Sequence, residues 1–135
     1  MRRLLVLIGL FVLVVAGCGG SGKSAYTAGP TATCLGQKGF TSVTMNPSKI
    51  GFIAAFAVHG GLRADAPGGG NTVVIAFAAD AGGAAATEQA YTRHAPKNLR
   101  PHIRDVMSSQ GNAVIVWTVT PSSTLQSDTL GCLKR

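Results

Sequence analysis

Apolar residues along the chain form one long uninterrupted run and then recur at shorter, regular spacings. Residues 4–16 carry no charged or strongly polar side chain. From residue 40 onward, apolar residues recur at every second position in some segments and at every third or fourth position in others. These two periods are typical of strands and of helices, respectively. The patterned part of the chain is therefore the part expected to fold around a core.

The first patterned segments predict a strand followed by a helix. Residues 40–45 alternate and contain β-branched side chains, which favours a short strand. Asn46 is a good N-cap and Pro47 suits the first helical position, so we predict a helix from there to about residue 58. Its apolar stripe consists of Ile50, Ile53, Ala54 and Ala57.

The middle of the chain predicts a hairpin and a second helix. Residues 62–66 and 72–78 are predicted strands on either side of a proline- and glycine-rich turn, and the second strand is the continuous apolar run of a central strand. Asp80 can cap a helix over residues 81–94, which Pro96 ends.

The last part of the chain predicts a second hairpin and a closing helix. Residues 103–107 and 113–119 are predicted strands joined by a loop over residues 108–112. A helix that begins after Pro121 is predicted to carry Cys132. In the second strand, one face consists of Val114, Val116 and Thr118, and the other of Ile115, Trp117 and Val119.

The predicted order of elements is strand, helix, strand, strand, helix, strand, strand and helix. This order indicates an α+β fold in which a small antiparallel sheet is packed by two or three helices, and it resembles a ferredoxin-like sandwich with an added C-terminal helix. A chain of 135 residues has room for one such domain, which we place over residues 34–135. The fold hosts many functions and therefore implies no activity.

Composition indicates a core of small residues and a basic surface. Glycine accounts for 18 residues, charged residues for 13% of the chain and hydrophobic residues for 46%, which is unlike a disordered protein. The formal net charge is +7, and loss of Arg2 and Arg3 with a leader peptide would leave 10 basic and 5 acidic residues, or +5. This balance favours anionic lipids or envelope polymers as partners. No nucleic-acid-binding motif is present, so we expect no nucleic-acid partner.

The N-terminus has the anatomy of an export signal. Arg2 and Arg3 precede the apolar run, whose 13 residues are too few for a permanent spanning helix, which needs about 17 to 25. The run ends in Val15-Ala16-Gly17-Cys18, which resembles the lipobox of bacterial lipoproteins. The resemblance implies a signal peptide over residues 1–17, cleavage before Cys18 and diacylglycerol on its thiol. It also implies a location on the outer face of the membrane, in the periplasm or at the cell surface.

The same region contains a second motif. Residues 17–24 match the pattern G-x-x-x-x-G-K-[ST] of a phosphate-binding P-loop. A working P-loop needs a buried strand before it and a helix after it, whereas Gly29 and Pro30 follow where that helix should lie. Cleavage before Cys18 would also remove the first glycine of the motif. We therefore predict a flexible tether over residues 18–33 and no nucleotide site.

The remaining cysteines follow from the lipoprotein resemblance. With Cys18 assigned to lipid, Cys34 and Cys132 are an even pair in an oxidising compartment. We predict that they form a disulfide that ties the two ends of the domain together. The alternative is two buried free thiols that act as small apolar residues.

Residues 93–104 form the most distinctive polar segment. Its four basic side chains are a candidate anion-binding site for lipid phosphates or an acidic envelope polymer. They are Arg93, Lys97, Arg100 and Arg104. The alternative is a solvated connector whose charge complements the C-terminus of the preceding helix.

Other residues with functional chemistry give weaker signals. The three histidines lack the spacing of metal ligands, so we expect no metal and no cofactor. They are His59, His94 and His102. The five carboxylates are scattered along the chain, so no catalytic residue is predicted. Four aromatic residues are candidates either to line a pocket or, as is more common, to fill the core. They are Phe52, Phe77, Tyr91 and Trp117.

These patterns predict a membrane-anchored envelope lipoprotein with a non-enzymatic binding or interaction domain, whose ligand and protein partner the sequence does not specify. The alternatives are a small envelope enzyme and a structural subunit of an envelope complex. A pocket that holds a histidine and a carboxylate within hydrogen-bond reach would favour the enzyme. An apolar or basic surface patch would favour the binding domain, and an exposed apolar patch of roughly several hundred Å² would favour the structural subunit.

Overall fold

The computed structural model describes residues 24–135 of the chain. The predicted signal peptide, Cys18 and most of the P-loop match lie outside the described residues. The described residues form an α+β fold, as predicted. Its helices and strands, in chain order, are α1 (Ala28–Gln37), β1 (Thr41–Thr44), α2 (Pro47–Ile50), α3 (Phe52–Ala55), β2 (Gly61–Asp65), β3 (Thr72–Phe77), α4 (Ala81–His94), α5 (Ile103–Val106), β4 (Met107–Gln110), β5 (Ala113–Trp117) and α6 (Ser123–Gly131), with a 3-10 turn (Arg100–His102) before α5.

The strands form a single antiparallel sheet in the order β1-β2-β3-β5-β4. The predicted β2–β3 hairpin is confirmed, and β4 and β5 form a second hairpin whose first strand begins later in the chain than predicted. Because β5 lies between β3 and β4, the unit β3–α4–β4 is split as in a ferredoxin-like sandwich. The first half of the chain departs from that arrangement, since β1 pairs directly with β2 at the edge of the sheet.

This departure follows from a break in the helix predicted between residues 47 and 58. Asn46 caps α2 as predicted, because its side chain accepts a hydrogen bond from Ser48 N at 3.0 Å. Gly51 then adopts a φ of 83°, which ends α2 and separates it from α3. Two single turns replace one continuous helix. The chain therefore re-enters the sheet at the same end at which β1 leaves it. As a result, β2 runs antiparallel beside β1.

One face of the sheet carries the main core. Phe77 and Trp117 are buried there with Ile115 and Leu62, and Leu35 of α1 packs against them. Two of the four aromatic candidates therefore fill the core. The prediction for β5 is confirmed at its buried positions, because Ile115 and Trp117 belong to this core whereas the alternate residues face the other side.

Helix α1 corrects the predicted tether, since residues 28–33 belong to it. Pro30 lies in the first helical turn, where a backbone N–H has no intrahelical partner and a proline is tolerated. Ala28, Thr31 and Leu35 are buried at helical spacing against the core. The folded domain therefore begins earlier than residue 34.

The predicted strand over residues 103–107 is also corrected. Ile103 and Val106 both point into the main core, a spacing of three that a helical turn satisfies and a strand does not. Residues 103–106 accordingly form α5, and β4 begins at Met107. The predicted loop over residues 108–112 shrinks to a tight turn at Gly111 and Asn112, because β4 extends to residue 110.

The second face of the sheet carries the two short helices and α4. Ala54 of α3 packs directly on β2, and a Cβ atom built on Gly61 would lie only 2.6 Å from the Ala54 carbonyl oxygen. Further along the same face, Ala84 of α4 packs on Val114. Helices α3 and α4 therefore cover different strands, and a stretch of sheet remains between them.

Candidate functional site

An apolar groove of about 530 Å³ lies between α3 and α4; we call it the α3–α4 groove. Its floor consists of Val74 and Val116, which are paired neighbours on β3 and β5. One wall is formed by residues 50–53, and the other by Tyr91 and His94. A volume of this size falls within the range of small-molecule sites, about 300 to 1,000 Å³.

The rim of the groove on the α3 side is unusually exposed. Phe52 lines the groove, yet its side chain is 77% exposed. Its ring lies 4.8 Å from the ring of Phe56, which is 75% exposed. These two residues are one turn apart on the outer side of the predicted apolar stripe, so they make an apolar surface continuous with the groove.

Tyr91 and His94 supply the polar atoms of the groove. Burial raises the pKa of the Tyr91 phenol to about 12, so its hydroxyl remains protonated at neutral pH and can donate a hydrogen bond. His94 is an exposed residue in the last turn of α4. The groove thus combines hydrocarbon walls with a neutral donor and an imidazole, an arrangement suited to a ligand that is mostly apolar.

A second cavity, of about 730 Å³, lies on the opposite flank of α4; we call it the arginine cleft. The structure brings Arg93, Arg100 and Arg104 together in its lining, while Lys97 of the predicted cluster is not among the lining residues. Arg100 Nε donates to the Ala95 carbonyl at 2.8 Å, which fixes the start of its guanidinium group.

The charges in the arginine cleft are largely uncompensated. Within residues 24–135, none of its three arginines has a carboxylate oxygen within 4.0 Å. Glu88 also lines the cleft and offsets part of the charge. The three guanidinium groups can therefore donate to phosphate or carboxylate oxygens.

The histidines of residues 24–135 do not belong to a cluster of metal-ligating side chains. No group of three or more histidine, cysteine, aspartate or glutamate side chains is close enough there to hold a metal ion. His102 Nδ1 lies 3.5 Å from Asp105 Oδ2, but both side chains are on the open surface and are 71% and 61% exposed. His94 lies at the groove, where the lining contains no carboxylate.

The sequence pattern indicates some residues of each site, but it does not indicate how the fold brings them together. Phe52 and Tyr91 were among the aromatic pocket candidates, and both line the groove. The floor residues Val74 and Val116 were predicted only as strand residues. A usable signal was the Phe52–Phe56 pair, which is spaced one helical turn apart but lies off the stripe of the predicted helix.

Among the described residues, no helix is long and apolar enough to span a bilayer. No protein family model, curated protein or solved structure matches the chain. The assignment of function therefore depends on the residues themselves.

Proposed function

We propose that this chain is a lipid-anchored protein of the bacterial envelope whose domain binds one hydrocarbon chain of an amphiphile in the α3–α4 groove, without catalysing a reaction. The observation that carries the proposal is an open groove with a valine floor and aliphatic and aromatic walls. Exposed apolar grooves of this kind mark binding sites in small proteins.

The lipid anchor is supported by the basic start, the short apolar run and Val15-Ala16-Gly17-Cys18. Anchoring through Cys18 would hold the domain on the outer face of the membrane or in the periplasm. In that position, lipid acyl chains are the most abundant apolar groups within reach of the groove. The proposed ligand is therefore an acyl chain whose polar head meets Tyr91 and His94 at one wall.

The groove is tested with the leaderless chain that carries Cys18→Ser, because this protein needs no detergent. The probe is a fluorescent long-chain fatty acid. In the double variant Val74→Thr, Val116→Thr, the side chains keep their branched shape, but a bound acyl chain would bury two hydroxyl groups. Each such burial costs roughly 1 to 3 kcal/mol when no partner is present, so we expect binding at least about tenfold weaker.

Val119→Thr is the matched control, because Val119 is an exposed valine outside the groove. Its affinity for the fatty acid should equal that of the parent. Equal affinity in the parent and the double variant, or no binding by the parent, would refute the groove as the ligand site.

A second candidate function is supported by the arginine cleft. Three arginines without acid partners in the described chain line one cavity. We propose that this cleft makes weak, salt-sensitive contact with phosphate or carboxylate groups of an anionic lipid or envelope polymer. Because all three arginines are exposed, solvent and salt would screen the interaction strongly.

A further inference from the structure

Exposed apolar side chains are concentrated in one segment of the domain. Among the described residues, five large hydrophobic side chains are exposed, and four of them lie in the connection between β1 and β2. These four are Met45, Phe52, Phe56 and Val58. Val58 is 71% exposed, and Phe52 and Phe56 are more exposed still, which is an unfavourable arrangement for a surface that meets only water.

The end of this segment lies where the described chain begins. His59 N donates to the Phe77 carbonyl at 2.8 Å, and a Cβ atom on Gly60 would lie 3.4 Å from the Cβ of Ala28. Residues 58–60 and the start of α1 therefore meet at one end of the sheet, beside the last residue of β3. We call this region the Phe77 end.

Lys134 and Arg135 bring two positively charged side chains to the Phe77 end. Thr27 N donates to the Lys134 carbonyl at 2.9 Å, and the Arg135 guanidinium lies 5.4 Å from the centre of the Tyr26 ring. Lys134 and Arg135 are both exposed. Asp80 lines the same cavity as Arg135, and its side chain caps α4 by accepting from Gly83 N at 2.7 Å.

The position of Cys18 limits how far this end can lie from a membrane. Cys18 precedes Ser24, the first described residue, by six positions. Six residues reach about 20 Å at most, since an extended chain spans ~3.5 Å per residue. Ser24 lines a cavity at the Phe77 end together with Asp80 and Asn112. A domain anchored through Cys18 would therefore hold this end within about 20 Å of the lipid headgroups.

We infer that the Phe77 end and the adjoining aromatic pair form a membrane-docking surface, which we define as Phe52, Phe56, Val58, Lys134 and Arg135. The apolar side chains enter the interface of the bilayer, and the two basic residues meet anionic headgroups. Phe52 belongs both to this surface and to the rim of the α3–α4 groove. Docking would therefore bring the groove against the lipids from which the proposed acyl ligand comes. The inference rests on the proposed lipid anchor and identifies the bilayer itself as the partner.

The test uses the full processed chain, reconstituted into vesicles of phosphatidylcholine and phosphatidylglycerol. One variant carries Phe56→Cys and the matched control carries Val119→Cys, because both positions are exposed and apolar. Val119 lies at the opposite end of the sheet, where its amide donates to Asn71 Oδ1 at 3.1 Å. Each new thiol is labelled with an environment-sensitive fluorophore, and quenching by nitroxide-labelled lipids is measured.

We expect the label at position 56 to emit at shorter wavelength and to be quenched several-fold more than the label at position 119. Equal, water-like emission at both positions in protein that still floats with the vesicles would overturn docking and leave the anchor intact. An emission shift at position 56 that depends on protein concentration and occurs without lipid quenching would also overturn membrane docking. It would indicate that this surface contacts a second copy of the chain.

The lipid anchor is tested separately, by the mass of the peptide that contains Cys18 and by flotation of the protein with the vesicles. If Cys18 carries no diacylglycerol, the same labels are compared with vesicles in large excess. Selective quenching at position 56 then supports docking without the anchor, and its absence overturns docking.

Discussion

At the scale of single residues, two buried asparagines hold the ends of the sheet. Asn112 Oδ1 accepts from Tyr26 N at 2.8 Å, and its Nδ2 donates to the carbonyls of Tyr26 and Ala78 at 3.0 and 2.8 Å. At the other end, Asn71 Oδ1 accepts from Val119 N. Each amide satisfies several backbone groups for which the sheet provides no partner.

We predict that Asn112→Ala lowers the free energy of unfolding by about 2 to 3 kcal/mol, because the backbone groups of Tyr26 and Ala78 lose their partner in a buried site. The measurement is the urea midpoint of the leaderless Cys18→Ser protein. Asn98→Ala, at an exposed position, is the control and should change stability by less than about 0.5 kcal/mol. A midpoint for Asn112→Ala that matches this control would contradict the role assigned to the amide.

Some of these residue roles can be predicted from the sequence, and others cannot. The caps by Asn46 and Asp80 were predicted because each side chain bonds a backbone N–H only two or three positions away. Asn112 bonds Tyr26 across 86 positions, and no local pattern indicates such a partner. The same limit applies to the groove, whose floor is made by two strands that are adjacent only in the folded sheet.

At the scale of elements, the predicted bounds of α1 and of the helix over residues 47–58 are wrong for two physical reasons. Pro30 and Gly51 illustrate them, because the conformation at each depends on its position in the element. A proline in the middle of a helix is disruptive, which favours a tether at Pro30, yet Pro30 lies in the first turn of α1, where it is tolerated. Gly51 lies within the helix predicted from residue 47 to about residue 58, yet its left-handed backbone splits that segment into α2 and α3. The long periodic helix α4 matched its predicted bounds, since it contains enough turns for the period to be read.

The arginine cleft is formed by α4, the 3-10 turn and α5, together with Met107 at the start of β4. We expect Arg100→Ser with Arg104→Ser to weaken binding to soluble polyglutamate about two- to thirtyfold at low salt, since each of the two exposed ionic contacts contributes roughly 0.2 to 1 kcal/mol. High salt should abolish the binding through screening. Polyglutamate has no hydrocarbon chain, so it does not report on the groove.

Lys97→Ser is the matched control, because Lys97 is an exposed basic residue of the same segment that does not line the cleft. Parallel titration with phosphatidylglycerol vesicles distinguishes a lipid headgroup from a polymer as the source of the anion. Salt-independent binding, or equal losses from Lys97→Ser and from the arginine substitutions, would refute the cleft.

At the scale of the whole molecule, the two ends of the described chain are held side by side. The predicted disulfide joins Cys34 in α1 to Cys132, which directly follows α6, with Cα atoms 5.3 Å apart. Lys134 lies between Thr27 and Thr31, because its carbonyl accepts from Thr27 N and its amide donates to Thr31 Oγ1. The disulfide therefore holds α1 beside the end of α6, and the hydrogen bonds of Lys134 hold the basic C-terminal residues against the start of α1.

The last prediction is that reduction of the Cys34–Cys132 disulfide destabilises the domain strongly. The bond closes a loop with a sequence separation of 98, and closure of a loop of about 100 residues stabilises a protein by roughly 4 to 5 kcal/mol in the chain-entropy model. We expect the melting temperature of the leaderless Cys18→Ser protein to fall by at least about 10 °C on reduction. The double variant Cys34→Ala, Cys132→Ala should melt with the reduced protein, which separates loss of the bond from effects of the reductant. Alkylation of the denatured protein should add no label before reduction and two labels after it. Two labels before reduction would contradict the bond in solution, and an unchanged melting temperature would contradict its contribution to stability.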